Sequence, residues 1–84
     1  MVYSVVYIKS VIKRDLRELS HPVLKQIKQA IEKRLIVDPI SYGKPLRYNL
    51  KGCRRLRVGD YRIVYQINEQ VVTIIAIKHR KNIY

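Results

Sequence analysis

The chain has 84 residues, 48% of them hydrophobic, with 18 Lys and Arg against six Asp and Glu and a formal net charge of +12. That length gives one modest core and no second one, so a single domain spanning 1–84 is expected, and the apolar content excludes a disordered chain. The charge points to a polyanionic partner, nucleic acid before an acidic protein or a membrane surface.

The lone cysteine, Cys53, has no internal disulfide partner, which fits a reducing compartment. No apolar run approaches the roughly 20 residues of a membrane span, and no leader pattern opens the chain. A cytoplasmic protein is expected.

Val2 to Ile8, VYSVVYI, is β-branched and almost continuously apolar, the pattern of a strand covered on both faces. Ile8, Ile12, Leu16 and Leu19 then recur at helical spacing. Ser20 ahead of Pro22 predicts the cap of a second helix, which carries Leu24, Ile27, Ile31 and Leu35 and stops at Asp38-Pro39. Two helices joined by so short a link make an antiparallel hairpin. Gly43, Pro45 and Gly52 among polar neighbours predict a loop from Pro39 to Gly52.

Gly59-Asp60, between two β-rich runs, predicts a tight β-hairpin. If these are the two loop residues, Val58 faces Tyr61, Arg57 faces Arg62, Leu56 faces Ile63 and Arg55 faces Val64. Alternation then puts Leu56, Val58, Tyr61 and Ile63 on one face and Arg55, Arg57 and Arg62 on the other. A last strand, Val71 to Ile77, is apolar on both faces and hence central. A two-residue loop at Asn68-Glu69 would put His79 on the face of the arginines, whereas a three-residue loop through Gln70 would put Arg80 there. The predicted fold is α+β, in the order β-α-α-β-β-β, with a largely antiparallel four-stranded sheet packed on one helical hairpin and its other face open.

The charge is unevenly spread. Lys9 to Asp38 mixes eight Lys and Arg with four acids, the habit of solvated helix faces, but Lys44 to Arg62 holds seven Lys and Arg and one acid, Asp60. Like charges directly opposite across a strand pair cost up to about 1 kcal/mol, so folding gains nothing from the arginine face and an anion should meet it.

Other chemistries find little support. His21 and His79 fall in different elements and no spacing resembles a zinc site, so neither metal nor cofactor is expected. Cys53 at a strand start reads as a small buried residue rather than a nucleophile. Gly43, Gly52 and Gly59 are isolated turn residues, not a phosphate-cradling loop. What remains is clustered guanidinium, whose planar fork suits a phosphodiester. On a rigid sheet it would stabilise the dianionic phosphorane formed when a ribose 2′-hydroxyl attacks its neighbouring phosphate, each aimed charge being worth about 3 to 4 kcal/mol. A solvated surface or a nonspecific nucleic-acid patch is the plainer reading of the same residues.

KPL followed by NLKG, then GDYRIVYQI, then the closing HRKNIY resemble, in order and along the whole chain, the RelE/ParE superfamily of toxins from type II toxin–antitoxin pairs. The resemblance to its RelE branch implies a ribosome-dependent endonuclease of messenger RNA, held inactive by an acidic, RelB-like antitoxin in a hetero-oligomer. By position it implies catalytic roles for Arg55, Arg57, Arg62, Arg80 and Tyr84. Arg62 and Arg80 would clamp the scissile phosphate; Arg55 and Arg57 would place the RNA backbone and lower the pKa of the attacking hydroxyl. Tyr84 would stack on a base or donate a proton. The resemblance also favours the register that admits Arg80.

The other cations of the basic half and the tail, Lys44, Arg47, Lys51, Arg54, Lys78, His79 and Lys81, are expected to contact RNA. The chain departs from the branch in carrying arginine where lysine is common on the second strand, and arginine is a much worse base. It also lacks the loop Glu and penultimate His of a related subgroup. Two rivals stand beside the nuclease: a ParE-like poison of DNA gyrase, and a non-enzymatic basic RNA-binding module.

Overall fold

The computed structural model describes residues 2–46 and 52–82. Arg47, Lys51 and Tyr84, all named as site residues from the sequence, lie outside the described residues.

Five strands form one sheet: β1 (Ser4–Tyr7), β2 (Lys44–Pro45), β3 (Arg54–Val58), β4 (Tyr61–Asn68) and β5 (Val71–His79), in the spatial order β1-β5-β4-β3-β2. β1 runs parallel to β5 and every other neighbouring pair is antiparallel. The expected four-stranded sheet is thus corrected to a five-stranded mixed one, the fifth strand being the two-residue β2. β5 is an interior strand, flanked by β1 and β4, while β4 holds the centre of the sheet. β1 is not covered on both faces: it lies at the edge, and Val6 is 47% exposed on the side away from the helices.

The helical layer consists of α1 (Val11–Asp15, π-wound), α2 (His21–Ala30, continuing π-wound through Ile31–Leu35) and α3 (Pro39–Tyr42). Ser20 stands at the predicted N-cap with extended backbone and Pro22 lies in the first turn, but the Ser20 side chain makes no capping bond. Ile27, Ile31 and Leu35 are buried, as their spacing predicted. In the first helix Ile8, Leu16 and Leu19 pack against the core as their spacing predicted, but Ile12 does not: it is 52% exposed, and Val11 and Asp15 are the buried residues. The cause is the wide turn closed by Leu16 N–H donating to the Val11 carbonyl at 2.8 Å, which rotates the inward face away from the 3.6-residue pattern.

Asp38-Pro39 ends the second helix and then starts α3, where a loop was expected. The Asp38 carboxylate accepts the Ser41 N–H at 3.2 Å; the Ser41 side chain first, and then this backbone bond, hold its pKa below the usual carboxylate value. Two side chains pin this segment to the sheet. The Tyr65 hydroxyl donates to the Pro39 carbonyl at 2.7 Å, and Arg54 Nη2 donates to the carbonyls of Ile40 and Gly43 at 2.7 and 3.0 Å. Gly43 is required here, since a Cβ would fall on the Tyr65 hydroxyl.

Val11, Ile27, Ile31 and Leu35 pack on Leu56, Val58, Ile63, Tyr65, Val72, Ile74 and Ile77 to form the core. Helices cover this face of the sheet and leave the other open. None of the described helices is long and apolar enough to cross a membrane.

Candidate active site

The β3–β4 hairpin has the register read from its turn. Val58 pairs with Tyr61, Arg57 with Arg62, Leu56 with Ile63 and Arg55 with Val64. Gly59 supplies the left-handed backbone, φ 59°, that the tight turn needs. Leu56, Val58 and Ile63 are buried under the helices, so Arg55, Arg57 and Arg62 share the open face.

β5 reaches the same face by a different route. Asn68 pairs with Val71, so the turn is Glu69-Gln70, with Glu69 at φ 57°, and neither loop considered from the sequence occurs. That turn alone would send Lys78 and Arg80 to the helical side. Between Tyr65, paired with Ile74, and Val64, paired with Ala76, the strand skips Ile75, and this bulge inverts the alternation. The buried positions record it as a step from Val72 and Ile74 to Ile77. Beyond it Lys78 lies opposite Arg62, and Arg80 comes to the arginines.

The bulge falls where β1 stops. Tyr7 is the last residue of β1 to pair with β5, at Ile74, leaving the outer edge of β5 bare beyond it. Asp15 fills the gap: its buried carboxylate accepts Ile77 N–H at 2.9 Å and the Lys78 ammonium at 3.1 Å. Sequence reading missed this residue. A lone acid at a position predicted to be polar carried no signal for a contact 62 residues away.

Two adjoining clefts line the open face. One, of about 400 Å³, is bounded by Arg57, Asp60, Tyr61, Arg62, Arg80 and Lys81. Arg80 is held there by its own N–H donating to the Asp60 carbonyl at 2.7 Å, and its Nε lies 3.8 Å from Asp60 Oδ1. The other, of about 340 Å³, shares Arg57 and Arg62, adds Arg55, Lys44, Arg34 and Tyr42, and includes Leu56, so it runs from the open face round toward the helical layer. Among the described residues no carboxylate is paired with Lys44, Arg55, Arg57 or Arg62. Arginine remains charged at any ordinary pH, so this surface carries an uncompensated positive field aimed at solvent.

The structure therefore gathers Arg55, Arg57, Arg62, Arg80, Lys44 and Lys81 and sets three other expected contacts apart. Arg54 points to the helical side and is spent on the Ile40 and Gly43 carbonyls. Lys78 has the parity of the open face, but its ammonium bends round the strand edge to Asp15. His79 lies beside Tyr61, ring edge to face at 5.0 Å, and its Nδ1 accepts the Lys81 N–H at 3.2 Å, outside both clefts. Arg34 and Tyr42 come from segments read as a solvated helix face and a loop. No group of three or more His, Cys, Asp or Glu able to hold a metal occurs among the described residues.

Comparison with known proteins identifies the family. The family model for the ParE toxin of type II toxin–antitoxin systems matches residues 6–84. The chain is 34% identical over 74 residues to Toxin RelG of Mycobacterium tuberculosis, covering 86% of this chain and 85% of that one. It is 37% identical over 73 residues to Toxin RelE of the same organism, covering 84% and 75%. Among solved structures, the toxin–antitoxin complex RelBE2 of M. tuberculosis superposes with a TM-score of 0.88 at 31% identity, over 98% of this chain and 95% of the other. The intact RelBE complex of E. coli gives 0.74 at 28% identity, over 92% and 95%. With the match running through both clefts, the chain belongs to the ParE toxin family of type II toxin–antitoxin systems, among RelE-like members.

Proposed function

We propose that this toxin is an endoribonuclease that cleaves messenger RNA on the ribosome, by attack of a ribose 2′-hydroxyl on the adjacent phosphate. The observation that carries this reading is the convergence of Arg57, Arg62 and Arg80 on one open cleft, with no acid among the described residues spent on Arg57 or Arg62. In the reaction the O2′–P bond forms and the P–O5′ bond breaks, leaving a 2′,3′-cyclic phosphate and a 5′-hydroxyl. Charge accumulates on the non-bridging oxygens. Arg62, near the start of β4, and Arg80, just past the end of β5 and beside Asp60, face those oxygens from two sides; Arg57 and Arg55 hold the flanking backbone and favour ionisation of the attacking hydroxyl. RNA brings its own nucleophile, so the chemical step asks for no metal on the toxin. The position of Tyr84 in the family pattern assigns it base stacking or proton donation.

The related structures from M. tuberculosis and E. coli are toxin–antitoxin complexes. On that basis we infer an acidic, RelB-like antitoxin as the cytoplasmic partner, in a hetero-oligomer that neutralises the arginine face. Primer extension on messages from translating ribosomes tests the nuclease. New 5′ ends should appear with the free toxin and vanish when antitoxin is supplied. Uncut message together with double-strand breaks in a purified gyrase assay would replace this reading with that of a gyrase poison.

A further inference from the structure

We propose that the second cleft is a nucleotide subsite in which Tyr42 stacks on a base next to the scissile phosphate and Arg34 holds that nucleotide's own phosphate. This rests on the nuclease reading for its place in the reaction, though not for its binding chemistry. Arg57 and Arg62 line both clefts, so a single strand whose scissile phosphate lies between Arg62 and Arg80 has its neighbouring nucleotide directed across them into the second cleft. There it meets Lys44, Arg55 and Arg34, which no described carboxylate neutralises.

Tyr42 is what makes this more than a continuation of the basic surface. The residue is 51% exposed and lines the cleft, while its backbone is bracketed by anchors: Arg54 holds the carbonyls of Ile40 and Gly43, and Tyr65 holds that of Pro39. A large aromatic side chain left uncovered on a segment fixed from beneath, surrounded by cations, is the arrangement that binds an unstacked base through its face and the backbone through charge. Arg34 reaches the cleft from the π-wound end of α2, so the helical layer as well as the sheet contributes to substrate binding.

The test is fluorescence anisotropy with the whole toxin and two uncleavable 2′-O-methyl hexanucleotides, one carrying all its bases and one abasic at every position. Wild-type protein should bind the base-bearing oligomer about tenfold more tightly. Tyr42→Ala should abolish that preference and Tyr42→Phe should retain it, with unchanged circular dichroism, because the ring is not part of the core. Arg34→Ala should weaken both oligomers alike and reduce the salt slope by about one. A base preference that survives in Tyr42→Ala, or its absence in the wild type, would overturn the subsite even where primer extension shows cleavage. Conversely, a preference that depends on Tyr42 in a protein that cuts nothing would keep the subsite and reject the nuclease.

Discussion

The two hairpins of the sheet bring cations to one surface by opposite means. β3–β4 does it locally: a Gly-Asp turn fixes the pairing, and strict alternation carries Arg55, Arg57 and Arg62 outward. β4–β5 does it through tertiary structure. Its turn has the wrong parity, and Arg80 reaches the cleft because one residue is skipped where β1 ends and Asp15 takes over the strand edge. A site assembled from both is therefore rigid on one side and dependent on a remote carboxylate on the other.

The largest effect expected from breaking the local half is at Arg62, the second residue of β4. Arg62→Ala removes one preorganised charge from the developing dianion and should lower single-turnover cleavage on programmed ribosomes by about 10²- to 10³-fold. Arg62 is not a core residue, so the melting temperature should hardly move. A loss of activity matched by a loss of fold would mean that the arginine face is structural.

This asymmetry also decides what could be read in advance. The β3–β4 register was legible because glycine announces a left-handed turn and the flanking residues alternate. The bulge was not, because nothing near Ile75 marks it; its setting comes from α1. Arg54 and Arg55 teach the same lesson at one peptide bond's distance. Both lie in the basic run, yet Arg55 faces the open surface and Arg54 serves as a tie to α3. The expected loop from Pro39 to Gly52 hid α3 and β2 because the bonds that order it come from Arg54 and Tyr65, on strands not yet formed in any local reading.

The remote half breaks at Asp15. Asp15→Ala leaves the Ile77 N–H without its acceptor and Lys78 without its counter-ion. With Lys78 partly open to solvent, which screens that half of the contact, a loss of about 2 to 3 kcal/mol in urea denaturation is expected. Asp15→Asn, which keeps an acceptor for the amide, should cost less. Hydrogen exchange sharpens the contrast: the Ile77 amide should lose protection while the amides of the β3–β4 ladder keep theirs. Equal loss in both hairpins would show that the sheet responds as one unit.

Tyr65 stands at the register shift itself, and its hydroxyl ties β4 to Pro39. Tyr65→Phe should cost about 1 to 2 kcal/mol by stranding a buried carbonyl. Burial raises the Tyr65 phenol above its ordinary value of 10.0, against the opposing hydrogen bond and charge of Arg54. A pKa raised by folding contributes stability in full below the unfolded value, near pH 10, and the contribution disappears as pH climbs through the folded value. Wild-type stability should therefore fall above pH 10, and Tyr65→Phe should flatten that fall. Burial and then the Glu32 charge raise Tyr7 as well, so part of the slope should remain.

The smallest effect concerns the second turn. Glu69 occupies a left-handed backbone, φ 57°, which costs a side chain roughly 1 kcal/mol and glycine nothing. Glu69→Gly should recover that strain and lose part of it again to the greater freedom of the unfolded chain, for a net gain of about 0.5 kcal/mol. In a domain of this size that is a rise of about 3 °C in melting temperature. The gain measures the strain of the left-handed residue itself, and a variant no more stable than the wild type would show that this turn carries none. A stabilised Glu69→Gly protein with unchanged cleavage places the selection of Arg80 in the bulge and in Asp15.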